Sequence, residues 1–408
     1  MAKIIPFRAV RPPRSLAHLV ASRAYANYSR RDLAQKLESN PYSFLHIINP
    51  DFNDPARGRR KVTDRFKLVG QAYQAFKANK WLDRDEDTAY YIYRQTTGAI
   101  SFTGIIAGAS VQDYQDEVIL KHESTLIERE KLFKEYLEIT EFNAEPVLLT
   151  CPDDPQLEET VVQTCSACPE YEFYTSDGIL HEMWMVNDPL VIAKITDRFS
   201  QFHRIYIADG HHRSASSALL AHDHPGEAYQ YFLAFFIPES QLRILPFHRL
   251  IDGEGLPEDD TILASLHQRF TVTRVQKAFI PQERGTFCLM LSGQVYRLEP
   301  TFPVQGSSPV QMLDAWLATA HILAPAFGIE DLRTDVRVSF IGGAVTADQV
   351  TERMRKEEKR AAILLHPVDM EQLKAVADAG EVMPPKSTFI EPKLRSGLTI
   401  YQFNDRID

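Results

Sequence analysis

The chain has 408 residues, of which 44% are hydrophobic, so it can bury a large core in one elaborate domain or two associated ones. Its formal net charge of -10 argues against non-specific nucleic-acid binding, which depends on basic surface. No apolar run approaches the roughly 20 residues that span a bilayer, the N-terminus lacks a signal-peptide core and the 4 cysteines are too few for a disulfide scaffold, so a cytoplasmic protein without a membrane partner is expected.

Residues 1–14 carry Pro6, Pro12 and Pro13 and read as an extended arm. Ser29 is placed to cap a helix through Asp32 and Leu37, which Asn40-Pro41 ends. Residues 43–48 read as a strand. Phe66, Val69, Ala72, Tyr73 and Phe76 recur at helical spacing and predict an amphipathic helix over 63–79. Residues 88–94 and 99–107 read as paired strands around Thr97-Gly98, followed by a charged helix over 126–139 and a buried strand over 146–150. More strand follows over 171–186, turning at Asp177-Gly178, then a helix over 190–199.

Ile205, Tyr206 and Ile207 form a short buried strand, Gly210 a tight turn, and the small residues 214–221 a closely packed helix. Residues 229–237 are almost wholly apolar and predict a central strand. Beyond it come a helix over 256–270, a hairpin over 287–298, a helix over 310–323, a strand over 336–341, a charged helix over 346–359 and a strand over 361–365. The pattern is that of an α/β protein with a mixed sheet. It divides into a core over 1–250, an αβ elaboration over 251–345 and a C-terminal segment over 346–408 that returns to the core.

The stretch Asp209-Gly210-His211-His212-Arg213 falls where a strand hands over to a helix. Backbone N–H groups and the helix dipole favour an anion there, and Arg213 adds a bidentate donor. Asp209 as a simple helix cap beside a surface Arg213 would need no imidazoles, so the adjacent His211 and His212 favour function. In phosphoryl transfer, Arg213 and the Gly210 turn would hold a phosphate. Asp209 would bind Mg²⁺ or take a hydroxyl proton, and one histidine would stabilise the transferring group.

Two further clusters carry related chemistry. Lys121-His122-Glu123-Ser124-Thr125 concentrates an ammonium, an imidazole and a carboxylate. Met383-Pro-Pro-Lys386-Ser387-Thr388 is braced by proline before a set of phosphate or carboxylate donors, and Lys393 follows Pro392 in the same way. By contrast, the Cys165/Cys168 pair has no second pair at zinc-site spacing and reads as incidental thiols. His222 and His224 lie a helix away from His211 and His212, roughly 15 Å at 1.5 Å per residue, too far for one metal.

The turn resembles the Asp-Gly-His-His-Arg signature of a ParB/sulfiredoxin-like superfamily. With Asn40-Pro-Tyr-Ser-Phe-Leu-His46, Lys121-His-Glu-Ser-Thr125 and Met383-Pro-Pro-Lys-Ser-Thr-Phe-Ile-Glu-Pro-Lys393, the chain is similar to a bacterial and archaeal domain-of-unknown-function family related to free-serine kinases. The resemblance implies a nucleotide-binding core with a C-terminal elaboration, and a phosphotransferase acting on a small hydroxyl metabolite, L-serine above all. It implies ATP or ADP with Mg²⁺ on Asp209 and Glu123, Glu123 as base, and phosphate contacts from Lys121, Lys386, Ser387, Thr388 and Lys393. ParB relatives use the same pocket for CTP, so a nucleotide-binding regulatory or scaffold protein is the alternative. Sulfiredoxins carry a catalytic cysteine at the position of His211, which excludes sulfinic-acid reduction in its usual form here. Where many relatives show Pro-Tyr-Asp-Val, this chain has Arg23-Ala-Tyr-Ala-Asn-Tyr28; the aspartate is missing, and Tyr25, Asn27 and Tyr28 are left to shape a pocket.

Overall fold

The computed structural model describes residues 1–25 and 28–403. Two compact units emerge. The first comprises Met1–Leu120, Thr125–Leu242 and Pro392–Asp408; the second comprises Lys121–Ser124 and Arg243–Glu391.

A nine-stranded mixed sheet organises the first unit. Its strands lie in the order Ile119–Leu120, Ile205–Asp209, Val147–Cys151, Tyr231–Pro238, Ile100–Ser110, Tyr90–Thr97, Leu180–Val186 and Tyr171–Tyr174, with Ile4–Ile5 also paired to Ile100–Ser110. Tyr231–Pro238 is central, as its apolar run required: it runs parallel to Val147–Cys151 and antiparallel to Ile100–Ser110. Phe232, Ala234 and Phe236 enter one core with Ile105, Leu149, Ile207 and Phe199. Helices are placed by local signals. Ser29 caps Arg30–Ser39 by accepting the Asp32 N–H, and Asp188 caps Pro189–Phe199 ahead of proline at its start. Val62–Ala78 buries Val69, Tyr73 and Phe76 beneath Phe142 and Ile400 in a second cluster. The C-terminal return is built by Tyr401–Gln402, which pairs with Phe142–Asn143, and by Ile400, which bridges Val10.

Three expectations are corrected. Residues 43–48 do not form a strand; Leu45–Ile48 closes a single helical turn that buries Leu45 and Ile47, so burial overrides β propensity. The helix expected over 256–270 is confined to Asp259–His267, and Phe270 opens a strand instead. The helix expected over 310–323 starts as a 3₁₀ turn at Pro309–Met312, becomes α-helical over Asp314–Leu317, and widens to π geometry over Ala318–Leu323. Pro325 follows directly; its missing N–H and its ring are incompatible with an α-helical bond to the carbonyl four residues back, and the wider turn relieves both.

In the second unit a six-stranded antiparallel sheet runs Phe270–Val275, Gln294–Pro300, Phe287–Leu291, Ala361–Leu364, Phe247–Ile251, Val338–Gly342. One face packs on Leu317, Ile322 and Phe327; the other packs on Val350 and Met354 of Ala347–Lys356. Arg249, on the strand beside the Val338–Gly342 edge, lies fully buried. Its Nη1 donates to the Phe247 carbonyl, while Nε and Nη2 have no hydrogen-bond partner among the described residues. Burial pushes its pKa down to about 9, opposed only by Asp314, whose own carboxyl burial pushes up to about 6. A buried guanidinium without a full set of partners is a stability cost. Arg249→Met is therefore expected to raise the unfolding free energy by about 1 kcal/mol or more, read by urea denaturation; a fall of that size would show that the guanidinium is a net stabiliser.

Candidate functional site

The strand Ile205–Asp209 does not run straight into its turn. Its register against Val147–Cys151 shifts between Ile207 and Asp209, so Ala208 and Asp209 together oppose Leu148. Such a bulge re-aims the side chain that follows it, here Asp209. Gly210 then takes φ 105° and ψ 26° as the N-cap of His211–Asp223, and no side chain caps that helix. A Cβ on Gly210 would meet the Arg213 guanidinium carbon at 3.0 Å, so the missing side chain both permits the left-handed turn and lets Arg213 lie back over it.

Asp209 sits between two cations. Lys393 Nζ lies 3.2 Å from Asp209 Oδ2, and Arg213 Nη2 lies 3.9 Å from Oδ1. Arg213 Nη1 also donates to the Pro146 carbonyl, which ties the helix start to the neighbouring strand. Desolvation by the surrounding protein would raise the Asp209 pKa, but the charges of Arg213 and Lys393 and the Gly210 N–H outweigh it and hold the carboxyl below its ordinary range. Asp209, Arg213 and Lys393 line a cavity of about 220 Å³ together with Glu145, Pro146 and Arg395. Glu145 is engaged by the Ser396 hydroxyl at 3.1 Å, and Arg395 donates to Asp177 at 2.6 Å.

The histidines take another direction. Arg213 folds back over the Gly210 turn toward Asp209, while helical rotation at His211 and His212 carries their side chains elsewhere. His211 is buried. His212 packs against Phe133 of Ile127–Thr140, ring centroids 6.4 Å apart, and burial with Arg129 nearby lowers its pKa. Neither imidazole lines the cavity. The small residues that follow, Ser214, Ala215, Ser216 and Ser217, are buried where the helix packs against Ile127–Thr140.

Of the other expected residues, Lys393 joins this site within the first unit. Lys121 is exposed, His122 is buried with its carbonyl accepting the Met383 N–H at 2.9 Å, and Glu123 is half-buried; all three belong to the second unit. So do Lys386, Ser387 and Thr388. Lys386 has φ 58° and lies 5.2 Å over the Phe247 ring, Ser387 donates its hydroxyl to the Pro384 carbonyl at 2.7 Å, and Thr388 is buried. Ser387 thus holds its own turn rather than presenting a donor. Tyr28 accepts the Arg23 N–H through its hydroxyl at 3.0 Å; Asn27, named with it, lies outside the described residues. No group of three His, Cys, Asp or Glu side chains able to hold a metal exists among the described residues, and Asp209 faces two cations, so the donor set does not fit a resident Mg²⁺. Sequence reading missed Arg395 and Glu145. Asp177 was read only as a hairpin-turn residue, yet it also pairs with Arg23 and Arg395.

The chain belongs to a family described as a protein of unknown function (DUF1015), whose pattern matches residues 4–316. No curated protein matches it. Its fold is similar to that of a free serine kinase in complex with AMP, at 12% identity, with 72% of this chain and 91% of that chain covered and a TM-score of 0.36. A conserved hypothetical protein from Pyrococcus furiosus is similar at 12% identity, 74% and 96% coverage and a TM-score of 0.36. SbnI with a C-terminal truncation, from Staphylococcus aureus, is similar at 14% identity, 74% and 90% coverage and a TM-score of 0.38.

Gly210→Ala should cost about 1–2 kcal/mol, because alanine resists the left-handed turn, and should displace Arg213; chemical denaturation reads the first effect, and an unchanged midpoint would contradict it. The lowered Asp209 pKa stabilises the fold above the ordinary carboxylate value of 3.8 and loses that contribution as pH falls through the folded value. The stability gap between wild type and Asp209→Asn is therefore expected at neutral pH and should close in acid; a gap that widens in acid would reverse the sign.

Proposed function

We propose that this protein is a nucleotide-dependent phosphotransferase acting on a small hydroxyl metabolite, with L-serine as the acceptor and ATP or ADP as the donor. The reading is carried by one observation: Arg213, in the first turn of a helix with no side-chain cap, and Lys393 line a cavity that also holds the Asp209 carboxylate. Phosphoryl transfer asks a protein chiefly for positioning and charge neutralisation. Arg213 offers a planar donor set and Lys393 a point charge to the phosphate oxygens. When phosphate occupies the cavity, both cations turn from the carboxylate to the more highly charged group.

Asp209 then accepts a hydrogen bond from the acceptor hydroxyl. The hydroxyl oxygen attacks the terminal phosphorus, the bond to the bridging oxygen breaks, and the shortened nucleotide leaves with that electron pair. The hydroxyl proton passes to the Asp209 carboxylate. With both cations drawn to phosphate, the lowering they impose on Asp209 is relieved, so its carboxylate is a better base when phosphate is bound, and a loose transition state asks little of it. His211 and His212 have no part in the transfer; they hold the helix. In this reading a divalent ion enters on the nucleotide phosphates, since the protein's own donors do not build a site for it.

The Lys393–Asp209 ion pair also favours a second reading, in which ATP or CTP opens that pair as a regulatory ligand without transferring phosphate. Incubation with ATP or ADP, Mg²⁺ and L-serine separates the two. The kinase reading expects phosphoserine, reduced about 100-fold in Arg213→Ala, the size seen when one transition-state donor is removed. Nucleotide binding without phosphoserine would overturn it in favour of the regulatory reading.

A further inference from the structure

A second cavity of the first unit, about 590 Å³, is walled by Ser22, Gln35, Lys36, Tyr174 and Asp177 among others, and it shares Arg395 with the smaller cavity at the Asp209 turn. We propose that it receives the nucleoside half of the nucleotide, with Arg395 at the junction between nucleoside and phosphates. The proposal rests on the phosphate-site reading of the Asp209 turn.

Size is the first argument. A cavity of about 220 Å³ suits the reacting phosphates and a small acceptor but not a nucleoside as well, whereas about 590 Å³ lies within the range that encloses a drug-sized ligand. A hydroxy amino acid would leave most of the larger space unfilled. Sharing one lining residue means that a ligand with a compact anionic tail and a bulkier polar body fits the pair of cavities better than two separate small molecules.

Unsatisfied polar atoms supply the second argument. The Arg395 side chain is only 5% exposed, and its Nη2 is used on Asp177 at 2.6 Å and on Thr175 Oγ1 at 3.2 Å. Its Nε is buried with no hydrogen-bond partner among the described residues, and so is the Ser22 hydroxyl. Buried polar atoms are almost always paired, and these two belong to residues lining one cavity. Both are donors without accessible surface, so the acceptor a nucleotide presents, a ribose hydroxyl or a phosphate ester oxygen, meets them once side chains of the cavity wall move aside. Charge agrees: Arg23, Lys36 and Arg395 outnumber Asp32 and Asp177 around this cavity, a local positive excess in a chain of formal net charge -10.

Titration calorimetry with two probes tests this: ATP, and inorganic tripolyphosphate, which has the tail but no nucleoside. Gln35 is an exposed position on Arg30–Ser39, so Gln35→Trp fills the larger cavity without burdening the core. It is expected to weaken ATP at least about ten-fold and to leave tripolyphosphate unchanged. Ser22→Ala, nearly isosteric, is expected to weaken ATP alone by several-fold, on the scale of one lost hydrogen bond. Arg213→Ala should weaken both probes. If both cavity variants bind ATP like wild type, the nucleoside lies elsewhere and the proposal is wrong even though the phosphate site stands. If wild type binds neither probe, the phosphate-site reading itself has failed.

Discussion

The carboxylate of Asp209, held between Arg213 and Lys393, is the constraint on which the arrangement of the site depends. It joins three parts of the chain that sequence separates: the end of a sheet strand, the first turn of a helix, and the segment after Pro392. Lys393 comes from 184 residues away, so the contact exists only once the C-terminal return has docked along Val10 and Phe142. The same carboxylate keeps two cations beside a helix start that would otherwise repel them. An arriving phosphate finds both in place.

Much of this was legible before any coordinates. Gly210 announces itself because only glycine adopts φ 105° cheaply at a strand-to-helix handover, and the apolar run before it could hardly be other than a buried strand. The cap at Ser29 and the hairpin glycine at Gly98 are equally local signals. What stayed hidden is not local. His211 and His212 look like reactive groups in a motif, but their direction is set by helical rotation and by the packing of Ile127–Thr140. Lys393 reads as a phosphate contact after Pro392, but nothing local names Asp209, 184 residues away, as its partner. The π turn at Ala318–Leu323 is written in Pro325, although helical periodicity alone conceals it.

The two units handle buried charge differently. In the first, Asp85 accepts from Arg11 at 2.7 Å and from the Tyr91 hydroxyl at 2.6 Å, and Asp177 is closed by Arg23, Arg395 and Thr175. Such networks fix geometry because each carboxylate in them is engaged by more than one donor. In the second, Arg249 and Asp314 are buried with atoms unmatched and with no ion pair between them among the described residues. A fold tolerates that only where the surrounding sheet over-determines the position, and burial on both faces of the six-stranded sheet supplies it.

The central claim, that the Asp209 turn grips phosphate, is tested most directly by a crystal structure of the protein grown with ATP. The account predicts phosphate oxygens about 3 Å from the Arg213 guanidinium and the Lys393 ammonium, with the Lys393–Asp209 pair opened. Phosphates bound elsewhere, with that pair intact at saturating nucleotide, would contradict it.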